Sequence, residues 1–80
     1  MLFRSSISHP REIFKEAYLL SCSFIICIHN HPSGNVLPSR NDFEITSKLV
    51  EVGNMLGIRV VDHVIIGSDK YYSFVENGDI

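Results

Sequence analysis

The fold can be predicted from one stretch of the sequence, which reads His29-Asn30-His31-Pro32-Ser33-Gly34-Asn35-Val36-Leu37-Pro38-Ser39-Arg40-Asn41-Asp42. Two histidines stand two positions apart directly after an apolar run, and a Pro-Ser-Gly turn follows them. Ser39 is a good helix N-cap, and Asp42 three residues later completes a capping-box pattern. Two imidazoles and one carboxylate are the ligands of a three-ligand zinc site with a fourth position for water. The stretch therefore predicts a strand, a turn and a helix start that meet at a metal.

Upstream of this stretch the pattern predicts a strand, a helix and a second strand. Leu2-Phe3 reads as the end of a strand, and His9-Pro10 starts a helix that we expect to reach Ser21. Residues 23–28 are apolar on both faces, which predicts a buried strand covered by helices on both sides. Alternation places His29 on the face of Cys27, at the carboxyl end of the strand, where sites of open α/β sheets lie.

Downstream of this stretch the pattern predicts one more helix and two strands. The helix starts at Ser39 and is stopped by Gly57. Its predicted buried stripe comprises Ile45, Leu49, Val52 and Leu56. Residues 58–66 and 70–75 are rich in strand-forming residues, and a tight turn predicts that they pair antiparallel. The resulting order predicts an α/β fold.

Composition favours one small globular domain, residues 1–80, with 45% hydrophobic residues and a formal net charge of −2. The lysines and arginines are scattered, so charge gives no reason to expect nucleic-acid binding. No apolar stretch is long enough to cross a membrane, and a cytoplasmic protein is expected. Cys22 and Cys27 would lie roughly 16 Å apart on one strand, too far for a disulfide, and reduced thiols agree with that location.

Plain structural roles remain open for the polar residues singled out here. The two histidines can be ordinary loop residues, and Asp42 can be only a capping acid near the helix dipole. Asp62 and His63 predict a hydrogen-bonded pair on a strand rather than a second site, and Cys27 a small buried residue. Two other His-x-His classes are excluded, because binuclear metallohydrolases need aspartate at position 33 and zinc deaminases need glutamate at position 31.

The spacing His29-x-His31-Pro32, six residues, Ser39, two residues, Asp42 resembles the JAMM motif of the JAB/MPN metalloproteases at every fixed position. Three segments are similar in sequence to the bacterial RadC branch of that family, and the resemblance extends over nearly the whole chain. They are His29–Gly34, Asp62–Gly67 and Ser8–Ala17.

The resemblance implies a cytidine-deaminase-like, three-layer α/β/α sandwich that is incomplete at its N-terminus. It implies Zn²⁺ held by His29, His31 and Asp42, with Ser39 as the catalytic serine that holds water and the oxyanion. A hydroxyl donor of that kind is worth about 2–4 kcal/mol. The implied activity is zinc-dependent hydrolysis of a peptide or isopeptide bond.

One departure from the family concerns its general acid/base, a glutamate on a strand upstream of the first helix. The chain as given starts after that strand, and Glu12 and Glu16 on the first helix do not match it. General acid/base help is worth about 10²–10⁴-fold, so weak or no hydrolysis is expected. The alternatives are a non-catalytic zinc-binding remnant or interaction module, and a DNA-repair-associated RadC-type protein. A homo-oligomer or another partner would cover an exposed strand edge.

Overall fold

The computed structural model describes residues 2–4 and 10–80, so the predicted helix start at His9 lies outside the described residues. In chain order the elements are β1 Leu2–Arg4, α1 Pro10–Leu19, β2 Phe24–Asn30, α2 Arg40–Leu56, β3 Arg59–Ile66 and β4 Tyr71–Ser73. They form one sheet in the order β1-β2-β3-β4, parallel except for β4, which runs antiparallel to β3. The predicted α/β class is confirmed. Neither described helix is long and apolar enough to cross a membrane.

Helix α1 ends two residues earlier than the predicted Ser21. Ser21 adopts a left-handed conformation with φ 56°. The N–H of Cys22 then donates to the Ala17 carbonyl at 2.9 Å, and the N–H of Ser21 to that of Tyr18 at 3.0 Å. These bonds satisfy the last carbonyls of the helix, as in other left-handed helix ends, and they redirect the chain into β2.

Both helices pack on the same face of the sheet. Ala17 of α1 and Leu49 of α2 lie in one buried cluster with Ile25 of β2. Ile26 and Ile28 point to the opposite face and are only half-buried. The expectation of helices on both sides of β2 is therefore wrong for the described residues, which supply two of the three predicted layers. Because β2 is apolar on both of its faces, its sequence does not indicate which face the helices cover. Tertiary packing decides that.

The buried face of α2 is shifted relative to the predicted stripe. Its buried residues are Asp42, Thr46, Leu49 and Gly53. Leu56, predicted to be buried, is 43% exposed, and Ile45 and Val52 are half-buried. The physical reason is close packing at Gly53, where a Cβ atom would lie 2.3 Å from the Ile58 carbonyl oxygen. The shift turns Asp42 and Thr46 toward the sheet.

An irregular register between β2 and β3 determines which way the β3 side chains point. Ile25 pairs with Val60 and Ile26 with Asp62, so one extra β3 residue is accommodated there. Such a bulge reverses the alternation beyond it. Val60 and His63 consequently both lie buried on the helix-covered face, and His63 pairs with Cys27.

Strand β4 is shorter than the predicted 70–75. After Ser73 the chain turns, with the Asn77 N–H donating to the Ser73 carbonyl and the Gly78 N–H to that of Val75. Phe74, the first residue of this turn, is fully buried. The turn therefore brings an aromatic ring against the same sheet face as His63.

Candidate metal centre

Three structural elements bring His29, His31 and Asp42 together. His29 lies near the end of β2, His31 directly follows the strand, and Asp42 lies in the first turn of α2. The N–H of His31 donates to the Ile66 carbonyl at 3.0 Å, which continues the β2–β3 pairing beyond the strand. Each of the three residues offers one ligand atom, and these atoms all lie within 4.8 Å of one another.

Each histidine ring lies close to one oxygen of the Asp42 carboxylate, and the ligand atoms of the group lie within 4.8 Å of one another. His29 Nδ1 lies 3.3 Å from Asp42 Oδ1, and His31 Nε2 lies 3.2 Å from Asp42 Oδ2. Ligands at about 2.1 Å from a tetrahedral zinc ion are about 3.4 Å apart. The side chains of His29 and His31 remain 22% and 19% exposed, so the site is open to solvent on one side.

Asp42 is both the acidic member of the site and part of the helix cap. The Ser39 N–H donates to Asp42 Oδ2 at 2.7 Å, and the Asp42 N–H donates to Ser39 Oγ at 3.1 Å. Burial, the largest influence, raises the pKa of the Asp42 carboxyl. The hydrogen bonds from Ser39 and the nearby His29 and His31 outweigh it, and the net pKa is lowered. The carboxylate is therefore ionised and ready to act as a ligand.

The ring of His31 is fixed by a backbone carbonyl. Its Nδ1 lies 2.7 Å from the carbonyl oxygen of Asn35. Since a carbonyl only accepts, this contact places a proton on Nδ1, so that in the neutral form of the ring the lone pair is on Nε2, the atom that faces Asp42. Metal-binding histidines are commonly oriented in this way by a second hydrogen bond.

His29 is held as a neutral ring. Burial, the largest influence, and the nearby His31 lower the pKa of its imidazole, and the Asp42 carboxylate opposes them without reversing the direction. The rings of His29 and His31 meet edge to face, with centroids 4.7 Å apart. A neutral imidazole is the form that binds a metal.

The loop that carries His31 packs directly on the β3–β4 connection at Gly67. A Cβ atom at Gly67 would lie 2.6 Å from the Gly34 carbonyl oxygen and 2.8 Å from Val36 Cγ1. No side chain can be accommodated at those distances without moving one of the two segments. The absence of a side chain at Gly67 therefore lets the loop lie close to the sheet.

Other residues singled out in the sequence have different positions. Ser39 is the exposed N-cap of α2, bonded to Asp42. Cys27 lies in the apolar core, outside the group of possible ligands, and burial raises the pKa of its thiol to about 11. Asp62 accepts hydrogen bonds from the Ser73 hydroxyl and the Val75 N–H, as expected of a structural acid.

Two residues beside the site, Thr46 and His63, had no functional role in the sequence interpretation. Thr46 lies one turn after Asp42, and a polar residue at that spacing was the available signal. The signal at His63 was a histidine followed by three apolar residues of β3. Burial, the largest influence, lowers the pKa of its ring to about 4. The position of His63 on the helix-covered face of the sheet depends on the β3 bulge, and no local sequence pattern predicts that bulge.

Comparison with known proteins agrees with this architecture. Residues 2–79 match the model of the RadC-like JAB domain family. UPF0758 proteins of Bacillus cereus (strain AH187) and Bacillus anthracis (strain CDC 684 / NRRL 3495) are each 57% identical over 76 residues, which is 95% of this chain and 34% of theirs. The chain thus spans about a third of the length of these curated relatives. Because this match extends over residues 2–79, the chain belongs to the RadC-like JAB domain family.

Proposed function

We propose that this domain binds one zinc ion through His29, His31 and Asp42, and that the site serves hydrolysis of a peptide or isopeptide bond. The observation that carries the proposal is the pair of N···O separations, 3.3 and 3.2 Å, between the imidazoles and the carboxylate. Two neutral nitrogens and one ionised carboxylate are the ligand types of catalytic zinc sites. Zinc would supply Lewis acidity, polarising a carbonyl and lowering the pKa of bound water to about 7.

The residues of the chain would prepare the site before substrate arrives. The Asn35 carbonyl selects the tautomer of His31, and Ser39 holds the Asp42 carboxylate in place. Ser39 Oγ accepts the Asp42 N–H through a lone pair and keeps its own proton for donation. In the proposed reaction the Ser39 hydroxyl donates a hydrogen bond, without transfer of its proton, to the oxyanion that develops on the substrate carbonyl.

A general acid/base is not supplied by the group of possible ligands in residues 2–4 and 10–80. Its single carboxylate, Asp42, would be occupied as a ligand in the proposed site. Glu12 and Glu16 lie exposed on α1. We therefore expect the 80-residue chain to bind zinc well. We expect its rate of hydrolysis to be about 10²–10⁴-fold lower than that of a site with a positioned carboxylate.

Zinc binding is tested by metal analysis and calorimetric titration of the purified chain. We expect about one zinc ion per chain, lost on His31→Ala and on Asp42→Ala. The matched control is Glu44→Gln, an exposed acid on the same helix, which should bind as the unchanged protein does. Absence of stoichiometric zinc from the unchanged protein would overturn the proposal.

Hydrolysis is tested by replacing the matched segment of the full-length Bacillus cereus relative with this chain and assaying linear peptides and peptides branched through a lysine amide. Zinc-dependent cleavage that Asp42→Ala abolishes would support the proposal. Zinc binding with no cleavage of either substrate would favour the non-catalytic zinc module. Salt-dependent binding of duplex DNA would favour the repair-associated alternative.

A further inference from the structure

His63 lies between two other rings in a nearly parallel stack. Its ring centroid is 4.7 Å from that of Phe74 at an interplanar angle of 3°, and 5.9 Å from that of His29 at 14°. His63 is 4% exposed and Phe74 is fully buried. The ring of the candidate ligand His29 therefore stacks on a ring that is itself buried and stacked on Phe74.

His63 is also connected to the helix that carries Asp42. Thr46 Oγ1 lies 2.7 Å from the Asp42 carbonyl oxygen and 2.5 Å from His63 Nδ1. The hydroxyl has one proton, and the Asp42 carbonyl can only accept. The arrangement that satisfies both contacts has Thr46 donating to Asp42 and His63 Nδ1–H donating to Thr46.

We propose that His63 is a positioning residue of the metal site, which orients the His29 ring by stacking and holds the first turn of α2 through Thr46. The inference rests on the proposed zinc binding, since it concerns the same three ligands. His63 is outside the group of possible ligands, and its Nδ1 is already bonded to Thr46. Its effect therefore passes through His29 and Asp42, which lie on different elements.

A role in core packing alone does not account for this arrangement. The β3 bulge turns a polar ring, rather than a strand-forming apolar residue, into the helix-covered face. Burying an imidazole costs free energy unless its polar atoms are paired. The bond to Thr46 offsets that cost, and it does so at the residue that also bonds the Asp42 carbonyl.

The test uses two pairs of variants that separate the hydrogen bond from the packing. His63→Phe keeps a ring for the stack but loses the Nδ1 donor, and His63→Asn keeps a donor near Nδ1 but loses the ring. Thr46→Val removes the hydroxyl at nearly constant volume, and Thr46→Ser retains it. The measurements are the Zn²⁺ dissociation constant by chelator competition, the visible spectrum of the Co²⁺ protein, and the melting temperature of the metal-free protein.

We expect Thr46→Val and His63→Phe to weaken Zn²⁺ binding by about 10–100-fold and to change the Co²⁺ spectrum, as loss of an orienting group does in other zinc sites. Thr46→Ser should bind within about threefold of the unchanged chain. His63→Asn should bind less tightly than the unchanged chain, because it lacks the stack on His29. Should His63→Phe fail to fold, the comparison of Thr46→Val with Thr46→Ser decides.

The inference is overturned if Thr46→Val and every folded His63 variant bind Zn²⁺ as the unchanged chain does, even with lowered melting temperatures. That result would assign His63 to stability only. Failure of the proposed function looks different, because the unchanged chain itself would then bind no Zn²⁺. The His31→Ala variant, which should bind none in either case, confirms that the titration reports on this site.

Discussion

The apolar core beneath the helices and the polar corner between the carboxyl end of β2, the middle of β3 and the start of α2 lie on the same face of the sheet. The polar corner consists of His29, His31, Asp42, Thr46 and His63. The core comprises Ile13, Phe14, Ala17, Ile25, Cys27, Leu49, Ile58 and Val60. Within a few residues along the same strands, the side chains change from aliphatic to ionisable. We infer that folding stability comes chiefly from the first region and metal chemistry from the second.

The largest expected effect is on stability and comes from the core. Leu49 is 1% exposed, and Leu49→Ala should lower the free energy of unfolding by about 2–5 kcal/mol, through lost burial and the cavity left behind. Urea denaturation of the metal-free chain measures it. The control is Met55→Ala on the same helix, where the side chain is 80% exposed and the change should stay within about 0.5 kcal/mol. Equal losses in the two variants would contradict the assignment of Leu49 to the core.

The next largest effect is a pH dependence that originates in the polar corner. The pKa of His63 falls from 6.5 to about 4 on folding, with burial as the main cause, followed by His29. The unfolded chain therefore binds more protons between these two values, so the free energy of unfolding falls as the pH is lowered through this range. The loss amounts to at most roughly 3 kcal/mol. The lowered pKa of Asp42 removes further stability as the pH falls below 3.8.

This pH dependence is measured by urea denaturation in the presence of a chelator at a series of pH values. His63→Asn should flatten the curve between about pH 6.5 and 4, with a residual slope from His29, whose pKa is also lowered. An unchanged slope in that variant would show that the histidine responsible lies elsewhere.

The two regions also differ in how far the sequence predicted them. The group of possible ligands was predicted from the sequence because His29, His31 and Asp42 lie close in sequence, next to a recognisable turn signal and a helix-cap signal. The start of α2 and its end at Gly57 followed from local cap chemistry and are confirmed. These features depend on short-range interactions, which a single sequence displays directly.

The features that escaped prediction depend on contacts between distant segments. The buried face of α2 is set by the approach of Gly53 to the Ile58 carbonyl, and apolar periodicity alone favoured Ile45 and Leu56. The orientation of His63 is set by a bulge against β2. Neither contact has a local signature, so the supporting residues of the polar corner required the structure.

A smaller effect is expected where the loop that carries His31 packs on the β3–β4 connection at Gly67. In Gly67→Ala the new methyl group meets the Gly34 carbonyl oxygen and Val36, so the loop has to move away from the β3–β4 connection. We expect a loss of about 1–3 kcal/mol in unfolding free energy and weaker Zn²⁺ binding. The control is Ser68→Ala at the exposed neighbouring position. Unchanged Zn²⁺ affinity in Gly67→Ala would show that this packing does not position His31.

The smallest effect on stability comes from Ser39, and its variants separate the two roles given to this residue. As the N-cap of α2, its hydroxyl accepts the Asp42 N–H, so Ser39→Ala should cost about 1 kcal/mol in urea denaturation, whereas Ser39→Gly should cost only a few tenths. Ser47→Ala, at an exposed position within the helix, should cost nothing, since alanine favours helix. A loss in Ser39→Gly as large as in Ser39→Ala would contradict the capping assignment.

Ser39→Gly also keeps the backbone N–H that donates to Asp42 Oδ2, so its Zn²⁺ affinity should remain close to that of the unchanged chain. Hydrolysis, assayed with this chain in place of the matched segment of the full-length relative, should nevertheless fall about 10²–10³-fold, because the hydrogen-bond donor to the oxyanion is gone. Such a variant would be stable and metal-loaded but slow, which is the combination that capping alone cannot produce. Full hydrolysis by Ser39→Gly would leave the serine as a helix cap and nothing more.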